Sequence, residues 1–236
     1  MNIIVKSIPN TITCLNLLSG CLAIVFAFSP AQRFCLDIPG WQWSVICIFA
    51  AAVFDFLDGF AARLLHAYSD IGKELDSLSD LISFGVAPAM LLLNVMTYIG
   101  GASHIYWIVF LIPILGGLRL ARFNVRDAEG DNSVFHGLPI PANALFWIGY
   151  VSWLWKYGMP DFYVVALGIL LVSLAMVSNI LLPSLKFKNL RFKDNLSRYF
   201  IIVATIILVI ICGLPGFTWA ILIYLILGIL TPAIRR

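Results

Sequence analysis

The chain has 236 residues, 61% hydrophobic and 11% charged, with a mean hydropathy of +0.98 and a formal net charge of +3. Soluble domains carry about 25% charged residues, so this composition excludes a soluble globular enzyme. It describes an all-α integral membrane protein with a single membrane domain over 1–236 and no nucleic-acid partner.

A membrane-crossing helix needs about 20 mostly apolar residues. Such stretches fall at roughly 12–30, 43–62, 74–96, 104–121, 138–155, 162–182, 198–212 and 217–232, predicting about eight spans. The dozen residues before and into the first carry one charge, Lys6, and no A-x-A site, so no cleaved signal peptide is expected. Asn10, Thr13 and Asn16 recur every three residues at its start, a polar stripe facing either a ligand or a neighbouring helix. Only Gly213-Leu214-Pro215-Gly216, a tight turn, separates the last two stretches. Cys14, Cys21, Cys35, Cys47 and Cys212 contain no C-x-x-C pair and read as small membrane-helix residues.

Orientation follows from Lys and Arg placement. With eight spans and the N-terminus inside, one side holds Lys6, Arg63, Lys73, Arg119, Arg122, Arg126, Lys186, Lys188, Arg191, Lys193, Arg198, Arg235 and Arg236. The other side holds Arg33 and Lys156. This bias predicts a cell-membrane protein with both termini, and the Arg63–Lys73 connection, in the cytoplasm. The basic run from Lys186 to Lys193 reads as an anchor for anionic lipid.

Six of the twelve carboxylates lie between residues 55 and 80. A carboxylate near hydrocarbon costs several kcal/mol unless paired or bound to a cation. Asp55 and Asp58 are three apart and Asp76 and Asp80 four apart, so on helices each pair shares a face. Two such faces meeting make an oxygen-rich pocket suited to a hard divalent cation, Mg2+ or Mn2+. Gly59 and Gly72 allow close approach of a ligand or backbone, and Arg63 can face a phosphate. The pocket suits a diphosphate substrate. Intramembrane Asp pairs also build ion pathways, so a cation transporter is the non-enzyme alternative.

The run Asp55-x-x-Asp58-Gly59-x-x-Ala62-Arg63, eight residues, then Gly72-x-x-x-Asp76-x-x-x-Asp80 resembles the signature of the CDP-alcohol phosphotransferases, with all eight fixed positions filled. The resemblance covers roughly residues 8–190. It implies a six-helix membrane core, here with two added C-terminal helices, assembled as a homodimer. It also implies that Asp55, Asp58 and Asp76 bind metal, and that Asp80 takes the alcohol's proton and doubles as a ligand. Asn10, Thr13, Asp58, Gly59, Ala62, Arg63, Ser69 and Gly72 are then expected at the CDP group.

Within that family, Asp76-Ser77 and the stretch from Gly72 to Pro88 resemble the phosphatidylserine synthases. The segments Pro9–Asn16, Arg119–Val125 and Phe135–Ala142 do so as well. The resemblance implies CDP-diacylglycerol and L-serine as substrates, phosphatidylserine and CMP as products, and membrane lipids as surroundings. The serine carboxylate needs a cation, for which Arg119, Arg122 and Arg126 are the candidates. The enzyme alternative is another acceptor, such as glycerol 3-phosphate or inositol phosphate.

Overall fold

The computed structural model describes residues 3–101, 103–128, 135–158, 160–182 and 196–234. The basic run from Lys186 to Lys193 lies outside the described residues, as do Arg235 and Arg236. The chain is an all-α integral membrane protein. Helical rods Ser7–Ala27, Gly40–Leu64, Asp70–Ile99 and His104–Arg126 are long and apolar enough to cross a membrane. Phe162–Val177, Arg198–Cys212 and Gly216–Leu230 are shorter apolar helices. Packing divides the chain into two units, Met1–Ile114 and Leu115–Arg236.

In the first unit, α1 (Ile3–Ala27) contains Pro9. The Thr11 and Thr13 hydroxyls donate to the carbonyls of Ser7 and Pro9, at 2.8 and 3.0 Å, folding back onto their own helix. A short connection leads to α2 (Gly40–Leu64), which packs along α1. In that connection, Gly40 sits under the Ser29 carbonyl and Arg33 pairs with Asp37 at 2.6 Å. Then α3 (Asp70–Asp80) begins on Ser69, whose hydroxyl accepts the Gly72 N–H at 3.0 Å.

The rod does not stop at Asp80. It widens into a π-helical turn, Leu81–Val86, and continues as α4 (Ala87–Ile99). Pro88 explains the widening. A proline cannot donate to the carbonyl four residues back and its ring crowds that carbonyl, whereas a wider turn gives room. The Ala87 N–H reaches Ile82, five residues back.

This rod lies against α1. Asn10 adjoins Gly72, Ser79 donates to the Thr13 carbonyl (3.3 Å), and Ser83 donates to the Asn16 carbonyl (3.0 Å). The paired numbers rise together, so α1 and α3 run parallel and start from the same side. At Gly20 the helices nearly touch, since a Cβ there would lie 2.8 Å from the Ser83 Cα. Backbone cannot rotate away as a side chain can. Gly20→Val is therefore expected to destabilise the fold by about 1–3 kcal/mol, the usual range for overpacking. Thermal melting in detergent checks this, and an unchanged midpoint would contradict the close contact.

The tighter helix Ser103–Phe110 lies in the first unit and leads into α5 (Leu111–Ala128), most of which, from Leu115 on, belongs to the second. After it come β1 (Phe135–His136), α6 (Ile140–Tyr157), α7 (Phe162–Val177), β2 (Leu181–Leu182), α8 (Leu196–Cys212) and α9 (Gly216–Ile234). The strands pair antiparallel, Phe135 with Leu182 and His136 with Leu181. Gly137 has a positive φ of 73°, and a Cβ there would strike the Met176 carbonyl. Trp147 is buried on α6 and donates to Asn143 Oδ1 at 2.9 Å. α9 packs on α6, where Thr218 donates to the Phe146 carbonyl at 2.9 Å.

Candidate active site

The site is built by three rods of the first unit. Asp55 lies nine residues before the end of α2 and Asp80 ten after the start of α3. At 1.5 Å per residue, each sits about 13–15 Å inward from its helix end. Oxygens of Asp55, Asp76 and Asp80 all lie within 4.8 Å of one another. Asp80 and Asp58 are buried, while Asp55 and Asp76 are half-buried.

Asp58 is outside that close trio but adjoins it, facing Thr13 of α1. All four carboxylates are near enough to repel one another. Two unit charges 4–5 Å apart repel by about 3–4 kcal/mol at an effective dielectric near 20. Three such pairs rival a domain's whole stability of about 5–15 kcal/mol. The cluster needs countercharge.

Two buried carboxylate oxygens, Asp58 Oδ2 and Asp76 Oδ1, have no hydrogen-bond partner. Buried polar atoms are nearly always satisfied, so an orphaned pair calls for a missing partner. An all-oxygen set with unused lone pairs is what a hard divalent cation takes. The residues present therefore fit a metal.

The polar stripe of α1 lies along this site. Asn10 Oδ1 and Ser69 Oγ both approach Gly72, within 2.8 and 2.9 Å of where a Cβ would stand. At Gly59, by contrast, nothing lies within 4 Å of the Cβ position, leaving open space beside Asp58. Ala62 and Arg63 occupy the last turn of α2, with Arg63 exposed.

Asn16, left among the alternatives in the sequence, is completely buried and donates from Nδ2 to Asp80 Oδ1 at 3.4 Å. Its signal was the three-residue stripe, which alone could not say how far along α1 the site extends. Ser79 and Ser83 carry no signal of their own in the sequence. Their hydroxyls bond to α1 carbonyls, a use that residue type does not reveal.

The candidate arginines belong to the second unit. Arg119 is buried, with its guanidinium 5.2 Å from the Phe123 ring centroid. Arg122 is exposed and donates to the Val177 carbonyl (3.2 Å) at the end of α7, where a cation offsets the helix dipole. Arg126 lies in the last turn of α5.

Residues 6–182 match the CDP-alcohol phosphatidyltransferase family. Among curated proteins, the chain is 35% identical to the CDP-diacylglycerol–serine O-phosphatidyltransferase of Methanocaldococcus jannaschii, covering 95% of this chain and 93% of that one. It is 32% identical to the protein so named from Helicobacter pylori, covering 94% and 89%. A third so named, from Bacillus subtilis, is 40% identical over 57% of this chain and 69% of its own.

Proposed function

The chain belongs to the CDP-alcohol phosphatidyltransferase family, and from that premise we propose that it transfers the phosphatidyl group of CDP-diacylglycerol to L-serine, releasing CMP. The observation that carries this reading is the convergence of Asp55, Asp76 and Asp80. It occurs in a chain resembling, over nearly its whole length, proteins named for serine transfer.

Asp55, Asp58 and Asp76, with Asp80 doubling as a ligand, would hold a divalent cation, Mg2+ or Mn2+, which when bound would supply charge neutralisation at the diphosphate and the departing CMP. Asn10, Thr13, Gly59, Ala62, Arg63, Ser69 and Gly72 hold the CDP group. The open space at Gly59 and the meeting of Asn10 with Ser69 at Gly72 support this. Asp80 takes the proton of the serine hydroxyl, whose oxygen bonds to the lipid-side phosphorus. The bond from that phosphorus to the bridging oxygen breaks, and CMP leaves with the electron pair. The displacement is single, since the motif offers Asp80 to take the proton and no Ser, Cys or His placed as a covalent nucleophile.

Serine and CMP are soluble, so the site opens to the cytoplasm of the cell membrane. The parallel run of α1 and α3 supports a shared side for their first turns, the side rich in Lys and Arg. The protein works as a homodimer, with 8–190 as catalytic core and α8 and α9 as additions.

An acceptor panel tests the function. Purified protein with CDP-diacylglycerol and Mg2+ or Mn2+ should release CMP with serine well above the water blank. Release with glycerol 3-phosphate or inositol phosphate but not serine would overturn the choice of acceptor. The carboxylate of serine is assigned to Arg119, Arg122 and Arg126. At least one of Arg119→Ala and Arg122→Ala should raise the serine KM roughly 10- to 150-fold, the loss of a charge-assisted hydrogen bond. The KM for CDP-diacylglycerol should hardly move. Unchanged serine KM in both would return these arginines to structural work, as Arg122 already does at Val177.

A further inference from the structure

We infer that Asn16 is a positioning residue for Asp80: its carboxamide fixes one carboxylate oxygen and leaves the other to act. The inference rests on the transfer reaction proposed above and adds a residue to it.

Four observations carry it. First, Asn16 Nδ2 donates to Asp80 Oδ1 at 3.4 Å, joining α1 to the cluster across 64 residues of chain. Only the amide nitrogen can donate to a carboxylate, so this contact sets which way the carboxamide points. Second, Asn16 is 0% exposed and its Oδ1 has no partner. An orphaned buried acceptor lowers stability. A leucine of similar shape would fill the space without that cost, so packing does not account for an asparagine here.

Third, the pair is bracketed. Ser79 donates to the Thr13 carbonyl on one flank and Ser83 to the Asn16 carbonyl on the other. Gly20 lets the helices close just beyond. Fourth, the π turn Leu81–Val86 begins directly after Asp80 and carries Ser83. A π turn adds a residue to the helical repeat, and such turns gather at functional sites. Asp80 and Ser83, three apart and so on one face, both meet Asn16. The backbone of Asn16 is held by Ser83 while its side chain holds Asp80, so carboxylate and helix register are fixed by one residue.

The consequence is specific. Without Asn16, Asp80 keeps its place on α3 but its carboxylate can turn about its last bond. A misdirected proton acceptor slows the chemical step without weakening substrate binding. Asn16→Leu should therefore lower kcat roughly 10- to 100-fold, the scale of a lost hydrogen bond to a charged group. KM for serine and for CDP-diacylglycerol should stay near wild type.

A double-mutant cycle with Asp80→Asn decides the matter. If Asn16 acts through Asp80, the double variant is no slower than Asp80→Asn alone. Asn16→Leu keeps the branched outline but adds volume and takes the donor from buried Asp80 Oδ1, so its melting point should fall, and kcat is measured well below that midpoint, where the variant is folded. Asn16→Ala serves as a second variant with the same expected kcat loss and a lower melting point. Three outcomes overturn the inference: Asn16→Leu with wild-type kcat, additive losses in the cycle, or a raised KM for CDP-diacylglycerol with kcat intact. Wild-type turnover with serine tests the function itself. The ratio of variant to wild type, measured with whichever acceptor supports turnover, tests Asn16, so the two failures are distinguishable.

Discussion

Asp80→Asn is expected to lower kcat with serine by roughly 10²- to 10⁴-fold, the usual contribution of a positioned proton acceptor. Asparagine keeps the shape and can still meet Asn16, but it cannot take a proton. The carboxylate is buried on α3, among groups that can also hold a cation, so two quantities are measured on the one variant. If Asp80 is the base, CDP-diacylglycerol still binds in the presence of metal while turnover collapses. If its main work is as a ligand, the half-saturating metal concentration rises with the loss of activity. Wild-type turnover in Asp80→Asn would remove it from the mechanism. A phosphatidyl group found attached to Asp80, or rapid CMP exchange into CDP-diacylglycerol without serine, would replace single displacement with a covalent route.

The second large effect couples activity to stability with opposite signs. Exhaustive chelation should abolish turnover. Asp55→Asn or Asp76→Asn should cost roughly 100-fold or more, since losing even a supporting contact around a metal ligand costs 10- to 100-fold. The metal-free variant should nevertheless melt higher than the metal-free wild type, because one of several mutually repelling carboxylates is gone. For a chain of this length, each kcal/mol recovered raises the midpoint by about 2–4 °C. Added Mg2+ or Mn2+ should stabilise the wild type, by about 2.7 kcal/mol at a hundredfold excess over Kd, and should stabilise the variants much less. A wild type whose activity survives chelation, or whose melting ignores metal, would contradict a cation held by these carboxylates.

The acidic residues were legible in the sequence because charge is rare in this chain and helical spacing is simple. Spacing put Asp55 with Asp58, and Asp76 with Asp80, on one face of each helix; that the two faces meet is what the structure adds. The helix ends were less legible, for identifiable reasons. The stretch 74–96 became a rod from Asp70 to Ile99, because a polar first turn capped by Ser69 lies below any hydropathy threshold yet folds as helix. The stretch 162–182 became a helix ending at Val177, because Leu181–Leu182 pair with Phe135–His136 as strand. Apolar content looks the same in both states. The first stretch, 12–30, began at Ile3, since Lys6, Ser7, Pro9 and Asn10 lower the hydropathy of a segment that is nevertheless helical. The π turn left no mark in the hydrophobic pattern, although Pro88 is its physical cause. Asn16 needed the register between α1 and α3, which depends on Gly20 and on two serine hydroxyls rather than on hydropathy.

The most direct measurement follows labelled serine into lipid. Purified protein in liposomes containing CDP-diacylglycerol, with Mg2+ or Mn2+, receives labelled L-serine, and CMP and labelled lipid are counted together. The account predicts one labelled phosphatidylserine for each CMP released, with both falling to the blank on chelation. CMP released without labelled lipid, or no CMP above the blank with serine, would contradict it.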